Sequence, residues 1–100
     1  MKLNEIGNYV ERCAKGNIVE LGCGENPIFN HSTKVDIISF NGYIQHDLNK
    51  FPWPFKDNEF DTIVALELIL YIKNIDMFLS ECKRILKSDG ILILSTPNTN

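Results

Sequence analysis

Cysteine, histidine and long apolar runs are all scarce in this 100-residue chain, and each scarcity closes off a class of function. The three cysteines, Cys13, Cys23 and Cys82, form no close pair and no metal-ligand spacing. An odd number so dispersed argues against a secreted disulfide scaffold and for a reducing, cytoplasmic compartment. His31 and His46 have no partner at ligand spacing and read as loop or surface residues, so no metal site is expected. The longest apolar stretches are Ile63-Val64-Ala65-Leu66 and Leu68-Ile69-Leu70-Tyr71-Ile72, divided by Glu67. Neither approaches the ~18 residues of a membrane span. The opening Met-Lys-Leu-Asn-Glu-Ile-Gly has no apolar core for a signal peptide. A basic surplus is missing too, the net charge being −3. That leaves no electrostatic footprint for nucleic acid or an anionic membrane surface. Lys83-Arg84, the one adjacent basic pair, reads as a solvated helix face.

What is present is the balance of one small globular domain over residues 1–100, with 44% apolar and 23% charged residues. Leu3, Ile6, Val10 and Cys13 recur at helical intervals over 3–14, and Gly16-Asn17 reads as the stop. Short strands follow at 18–21, 34–38 and 43–45, with a proline-broken segment between the first two. Residues 47–58 form a loop stiffened by Pro52 and Pro54. Residues 60–66 make a fourth strand, apolar on both faces, as in parallel sheets covered by helices on both sides. A helix over 75–87 carries Ile75, Phe78, Leu79, Cys82, Ile85 and Leu86 on one stripe. Asp89-Gly90 reads as its end, and 91–95 as a fifth strand stopped by Pro97. The alternation predicts an α/β doubly wound domain.

The stretch richest in information is residues 18–27, Ile-Val-Glu-Leu-Gly-Cys-Gly-Glu-Asn-Pro. An apolar strand ends beside two glycines, whose missing Cβ permits left-handed dihedrals and close approach of a ligand to the backbone. In a parallel sheet such a turn delivers a ligand to the carboxyl rim. Glu20 precedes Gly22 by two residues and suits a cation better than a pyrophosphate. Asp36 and Asp47 also fall at strand ends. Asp36 is placed to accept from ribose hydroxyls, and Asp47 from an adenine amino group with Ile37 and Leu48 against the ring. The alternative is that both merely cap turns. A dinucleotide fingerprint fails: Pro27 occupies the third glycine's place, and Asp36 follows Gly24 by twelve residues rather than about 20.

Four blocks now carry a resemblance: Val19-Glu20-Leu21-Gly22-Cys23-Gly24; Val35-Asp36-Ile37; residues 55–63, with Asn58-Glu59-Phe60-Asp61; and residues 81–98, with Arg84-Ile85-Leu86-Lys87-Ser88-Asp89-Gly90 and Thr96-Pro97-Asn98. In this order the chain resembles class I S-adenosylmethionine-dependent methyltransferases from about Ile18 to Asn98. The resemblance implies a Rossmann-like sheet of strand order 3-2-1-4-5, lacking the usual last two strands, and S-adenosylmethionine as cofactor. It implies that Gly22 and Gly24 lie beside the methionine moiety, with Glu20 near its ammonium group; Cys23 is counted with this cofactor-binding turn as a small turn residue and is given no catalytic role. Asp36 would hold the ribose, Asp47 and Leu48 the adenine, and Ala65 and Leu66 would line the methyl-transfer side. The acceptor is expected to be a small molecule, lipid or sugar-like compound.

The chain departs from the pattern in three places. The segment after the first strand is too short and proline-broken for the usual helix. Leu70-Tyr71 stands where many relatives have Glu-His, leaving Tyr71 to shape a pocket and Glu67 as a candidate base or a helix-start residue. The sequence also stops after the fifth strand, which predicts a homodimer through that edge or a longer enzyme. A catalytically silent S-adenosylmethionine-binding module or partner subunit is the competing reading, and a degenerate remnant a third.

Overall fold

A computed structural model describes the backbone of residues 3–96 and the side chains of 5–96. The Leu3 side chain and Pro97, expected in the first helix stripe and as a strand stop, lie outside the described residues. Helix α1 (Leu3–Cys13) leads into β1 (Ile18–Leu21), β2 (Thr33–Asp36), β3 (Ile44–Gln45) and β4 (Phe60–Leu66). A 3-10 turn (Ile69–Tyr71), α2 (Ile75–Ile85) and β5 (Leu86–Ser95) complete the order. The strands make one parallel sheet in the order β3-β2-β1-β4-β5, as the resemblance implied. The chain winds outward from β1 to β3 and returns to β4 beside β1, so strand order reverses between those two.

Period-2 alternation divides the core between the two faces. Val19, Leu21, Ile63 and Ala65 meet Phe78, Cys82 and Ile85 of α2 together with Trp53 of the long loop. Ile18 and Val64 face Val10 of α1, with Ile28 and Phe29 alongside. Thr62 is fully buried in β4, its hydroxyl donating to the Lys15 carbonyl (2.7 Å) and accepting from the Lys15 N–H (3.0 Å). That exchange fastens the segment after α1 to β4.

Three expectations shift, the first for a local reason and the other two through partners distant in the chain. Strand β2 ends at Asp36 rather than at 38, because Asp36 Oδ1 accepts from the Ile38 N–H (3.0 Å) and turns the chain. Helix α2, capped by Asn74 Oδ1 on the Met77 N–H, ends at Ile85 instead of 87. The Asn58 and Glu59 N–H groups donate to the Arg84 and Ile85 carbonyls and draw the chain straight into β5. Asp89-Gly90 therefore does not end the helix. Gly90 sits in β5 beside a register irregularity opposite Phe60 and Thr62, where a Cβ would lie 2.8 Å from Leu86 Cδ2. Arg84 is the third correction. Its side chain is only 27% exposed and bonds Glu81, Asp57 and the carbonyls of Trp53 and Phe55, whereas Lys83 faces solvent.

Candidate functional site

At the carboxyl ends of β1, β2 and β3 lies a cavity of about 500 Å³. Gly22, Asp36, Ile37, Asp47 and Leu48 line it, so half of the residues named from the sequence are brought together. Gly22 adopts φ +66°, and its N–H donates to the Val35 carbonyl at 2.8 Å. A Cβ there would lie 2.7 Å from Leu68 Cδ1, so glycine permits the close approach of β1 and the chain leaving β4. Asp36, 8% exposed, accepts from the Gly24 N–H through Oδ2 (2.8 Å) as well as from Ile38. The Gly24 carbonyl accepts from the Tyr43 hydroxyl (2.7 Å), so both backbone polar groups of this residue are held. Asp47 Oδ1 accepts from the Asn49 N–H (2.9 Å), and its other oxygen has no partner among the described residues.

The other five sequence-derived residues fall outside this lining. Glu20 points to the α1 face and is 1% exposed. Its carboxylate accepts from the Ile28 N–H (2.7 Å), the Phe29 N–H (3.2 Å) and the Ser32 hydroxyl. Cys23 is half-buried in the glycine turn. Burial pushes its thiol pKa up, and the Glu20 carboxylate adds to the rise, so it stays protonated at neutral pH and is a poor nucleophile. Gly24 is tied to the lining through its N–H bond to Asp36. Ala65 is buried in the α2-side core. Leu66 lines a second cavity of about 310 Å³ with Tyr9, Val10, Glu67, Ile93 and Ser95. Glu67 starts no helix. It takes φ +56°, with its N–H held by the carbonyl and hydroxyl of Ser95.

Sequence reasoning missed His46, Asn49, Leu68, Ile72 and Lys73, which complete the first cavity with Tyr71. The His46 ring is held by its Nε2 against the Lys50 carbonyl at 2.9 Å. Asn49 follows Asp47 at the spacing of an Asx turn, a readable local signal. Its reach to residues 71 and 73 has no counterpart in local sequence.

Fold and rim define a Rossmann-like α/β domain with a cavity beside the reversal of strand order, where open parallel sheets commonly bind ligands. The sequence profile of the Methyltransferase domain family matches residues 29–94. This chain belongs to that family. It is similar to a probable S-adenosylmethionine-dependent methyltransferase of Mycolicibacterium smegmatis, 27% identical over 103 residues, covering 87% of this chain and 40% of that protein. A relative of the same description from Mycobacterium tuberculosis is 26% identical, with 87% and 38% covered. The chain thus spans about two fifths of the length of these curated relatives. Among solved structures, a candidate S-adenosyl-L-methionine-dependent methyltransferase of Methanococcus maripaludis superposes with a TM-score of 0.69 at 19% identity, over 90% of this chain and 52% of that one. The trans-methyltransferase CalH in complex with SAH superposes at 0.61 with 13% identity, over 90% and 34%. These two likenesses concern the fold. No described helix is long and apolar enough to cross a membrane.

Proposed function

We propose that this domain binds S-adenosylmethionine in the 500 Å³ cavity and serves methyl transfer to a small-molecule acceptor. The observation that carries the reading is the pairing of two rim carboxylates, Asp36 and Asp47, with a glycine turn that no helix follows. A diphosphate ligand favours a helix N-terminus and positive potential. Residues 22–32 contain no helix, so that device is missing here. An uncharged ribose with a cationic sulfonium fits the acidic rim better.

In this reading Asp36 accepts from ribose hydroxyls while its bonds to Gly24 and Ile38 fix its direction. Asp47 offers its unpartnered oxygen to the adenine amino group, between Ile37 and Leu48. Gly22, Cys23 and Gly24 pass beside the methionine portion. Glu20 acts one step removed: it holds the 28–32 loop behind the glycine turn. Ala65 backs the end of β4, and Leu66 faces the acceptor side.

The cofactor supplies an electrophilic methyl carbon on a good leaving group, so the protein's task is alignment and exclusion of water more than proton transfer. The test is titration with S-adenosylhomocysteine, read by calorimetry and by the single tryptophan, Trp53, whose indole N–H donates to the Leu48 carbonyl at 3.1 Å. Binding of that ligand in preference to NAD is expected. Asp36→Asn should weaken it by about 1–3 kcal/mol, the worth of a hydrogen bond to a charged acceptor. No measurable binding by the wild type would sink the assignment.

A further inference from the structure

The cavity has two walls that come from distant parts of the chain, and one side chain joins them. Asp47, Leu48 and Asn49 form the wall after β3; Leu68, Tyr71, Ile72 and Lys73 form the wall after β4. In the second wall Leu68 and Ile72 pack into the core, but the Tyr71 side chain does not. No residue of the 3-10 turn is buried, and Leu70 and Tyr71 are 70% and 72% exposed. The Asn49 carboxamide spans the gap: Nδ2 donates to the Tyr71 carbonyl (2.8 Å), and Oδ1 accepts from the Lys73 N–H (2.9 Å). Its own N–H donates to Asp47 Oδ1 at 2.9 Å. One residue therefore contacts the Asp47 carboxylate and both ends of the Tyr71–Lys73 segment.

We propose that Asn49 is a positioning residue that latches the two walls, so that a ligand held against Asp47 also fixes Tyr71 at the cavity mouth. The inference rests on the proposed function for the identity of the ligand. Coupling between two groups that share a latch is reciprocal: ordering the 71–73 segment raises ligand affinity, and ligand raises the order of that segment. Asparagine suits the position because it offers one donor and one acceptor on a short planar group. Aspartate keeps the acceptor for Lys73 but has nothing to donate to the Tyr71 carbonyl.

The test compares wild type, Asn49→Ala and Asn49→Asp by amide hydrogen exchange and by S-adenosylhomocysteine titration of Trp53 fluorescence. Asn49→Ala should speed exchange at the Lys73 amide and weaken the ligand about tenfold, the scale of one or two net hydrogen bonds. In wild type the ligand should add protection at residues 71–73, and in Asn49→Ala that added protection should vanish. Asn49→Asp should retain the Lys73 protection in the free protein yet lose affinity. Equal affinity in wild type and Asn49→Ala, or ligand-induced protection that survives the substitution, overturns the latch. Failure of the wild type to bind S-adenosylhomocysteine sinks the functional reading instead; unchanged Lys73 exchange in Asn49→Ala then still overturns the latch.

Discussion

Replacing Arg84 with alanine should unfasten the loop that backs the cavity. The guanidinium bonds Glu81 twice, Nε to Oε1 at 2.6 Å and Nη2 to Oε2 at 2.9 Å. It also donates to the Phe55 carbonyl (2.8 Å) and the Trp53 carbonyl (3.2 Å). The further contact with Asp57, whose side chain is 72% exposed, adds little because solvent screens it. The Glu81 pair is better protected, at 27% and 13% side-chain exposure. Alanine strands the Phe55 carbonyl, leaves the Trp53 carbonyl with only the Phe55 N–H and the mostly buried Glu81 carboxylate with only the Trp53 N–H, a loss of about 2–3 kcal/mol once partial exposure is discounted. For a domain of this size that lowers Tm by roughly 10–20 °C. Lysine, a point charge with one reach, should recover about half.

Two readouts tie this loss to its cause. The Arg84 hydrogen bond holds the Glu81 carboxyl below its ordinary value of 4.5, with the Trp53 N–H assisting. A depressed folded value stabilises the protein above the ordinary one and withdraws that support as pH falls through the folded one. The acid limb of a Tm–pH profile should therefore flatten in Arg84→Ala. Affinity for S-adenosylhomocysteine should also fall, since Trp53 braces Leu48 in the cavity wall. A Tm within about 3 °C of wild type, the scale of an exposed ion pair, would refute the reasoning.

Gly22→Ala should cost about 1–2 kcal/mol from its left-handed backbone alone, and it forces Leu68 Cδ1 away from a 2.7 Å contact. The titration should show a larger loss of ligand affinity than calorimetry shows of stability; equal losses would remove the close approach as a functional feature. Thr62→Val removes the partner of the Lys15 N–H and carbonyl in a pair of part-buried bonds, so urea denaturation should record a loss of about 1–2 kcal/mol that Thr62→Ser largely avoids.

The parts of the fold that were legible are those set by local pattern. β1 and β4 fall at the residues their apolar runs mark, because strands buried on both faces are mostly apolar, and their buried polar members, Glu20 and Thr62, are hydrogen-bonded. Gly22, Asp36, Ile37, Asp47 and Leu48 meet in one cavity because parallel strands carry their following residues to one rim. What the sequence hid depends on partners distant in the chain. Arg84 looks like half of a surface pair until the 53–57 loop comes to lie against it, and Gly90 looks like a helix stop until β5 pairs with β4. The second wall of the cavity was hidden for the same reason: Asn49 and Lys73 meet only once β4 returns beside β1.

Glu20 carries the deepest consequence of that kind. Its position at the end of β1 suggested a charge facing the ligand, but period-2 alternation turns the side chain to the α1 face, where it takes two backbone N–H groups and a hydroxyl. Those donors belong to the segment in which a helix would otherwise begin, so the buried carboxylate stands in for helical hydrogen bonding and holds an irregular loop in place. Substituting a loop for a helix at this point also removes the positive helix end that would aim at the crevice. The carboxylates left at the cavity are Asp36 and Asp47, with Lys73 on the facing wall, and it is the missing helix end rather than the direction of Glu20 that sets this rim apart from a phosphate-binding one.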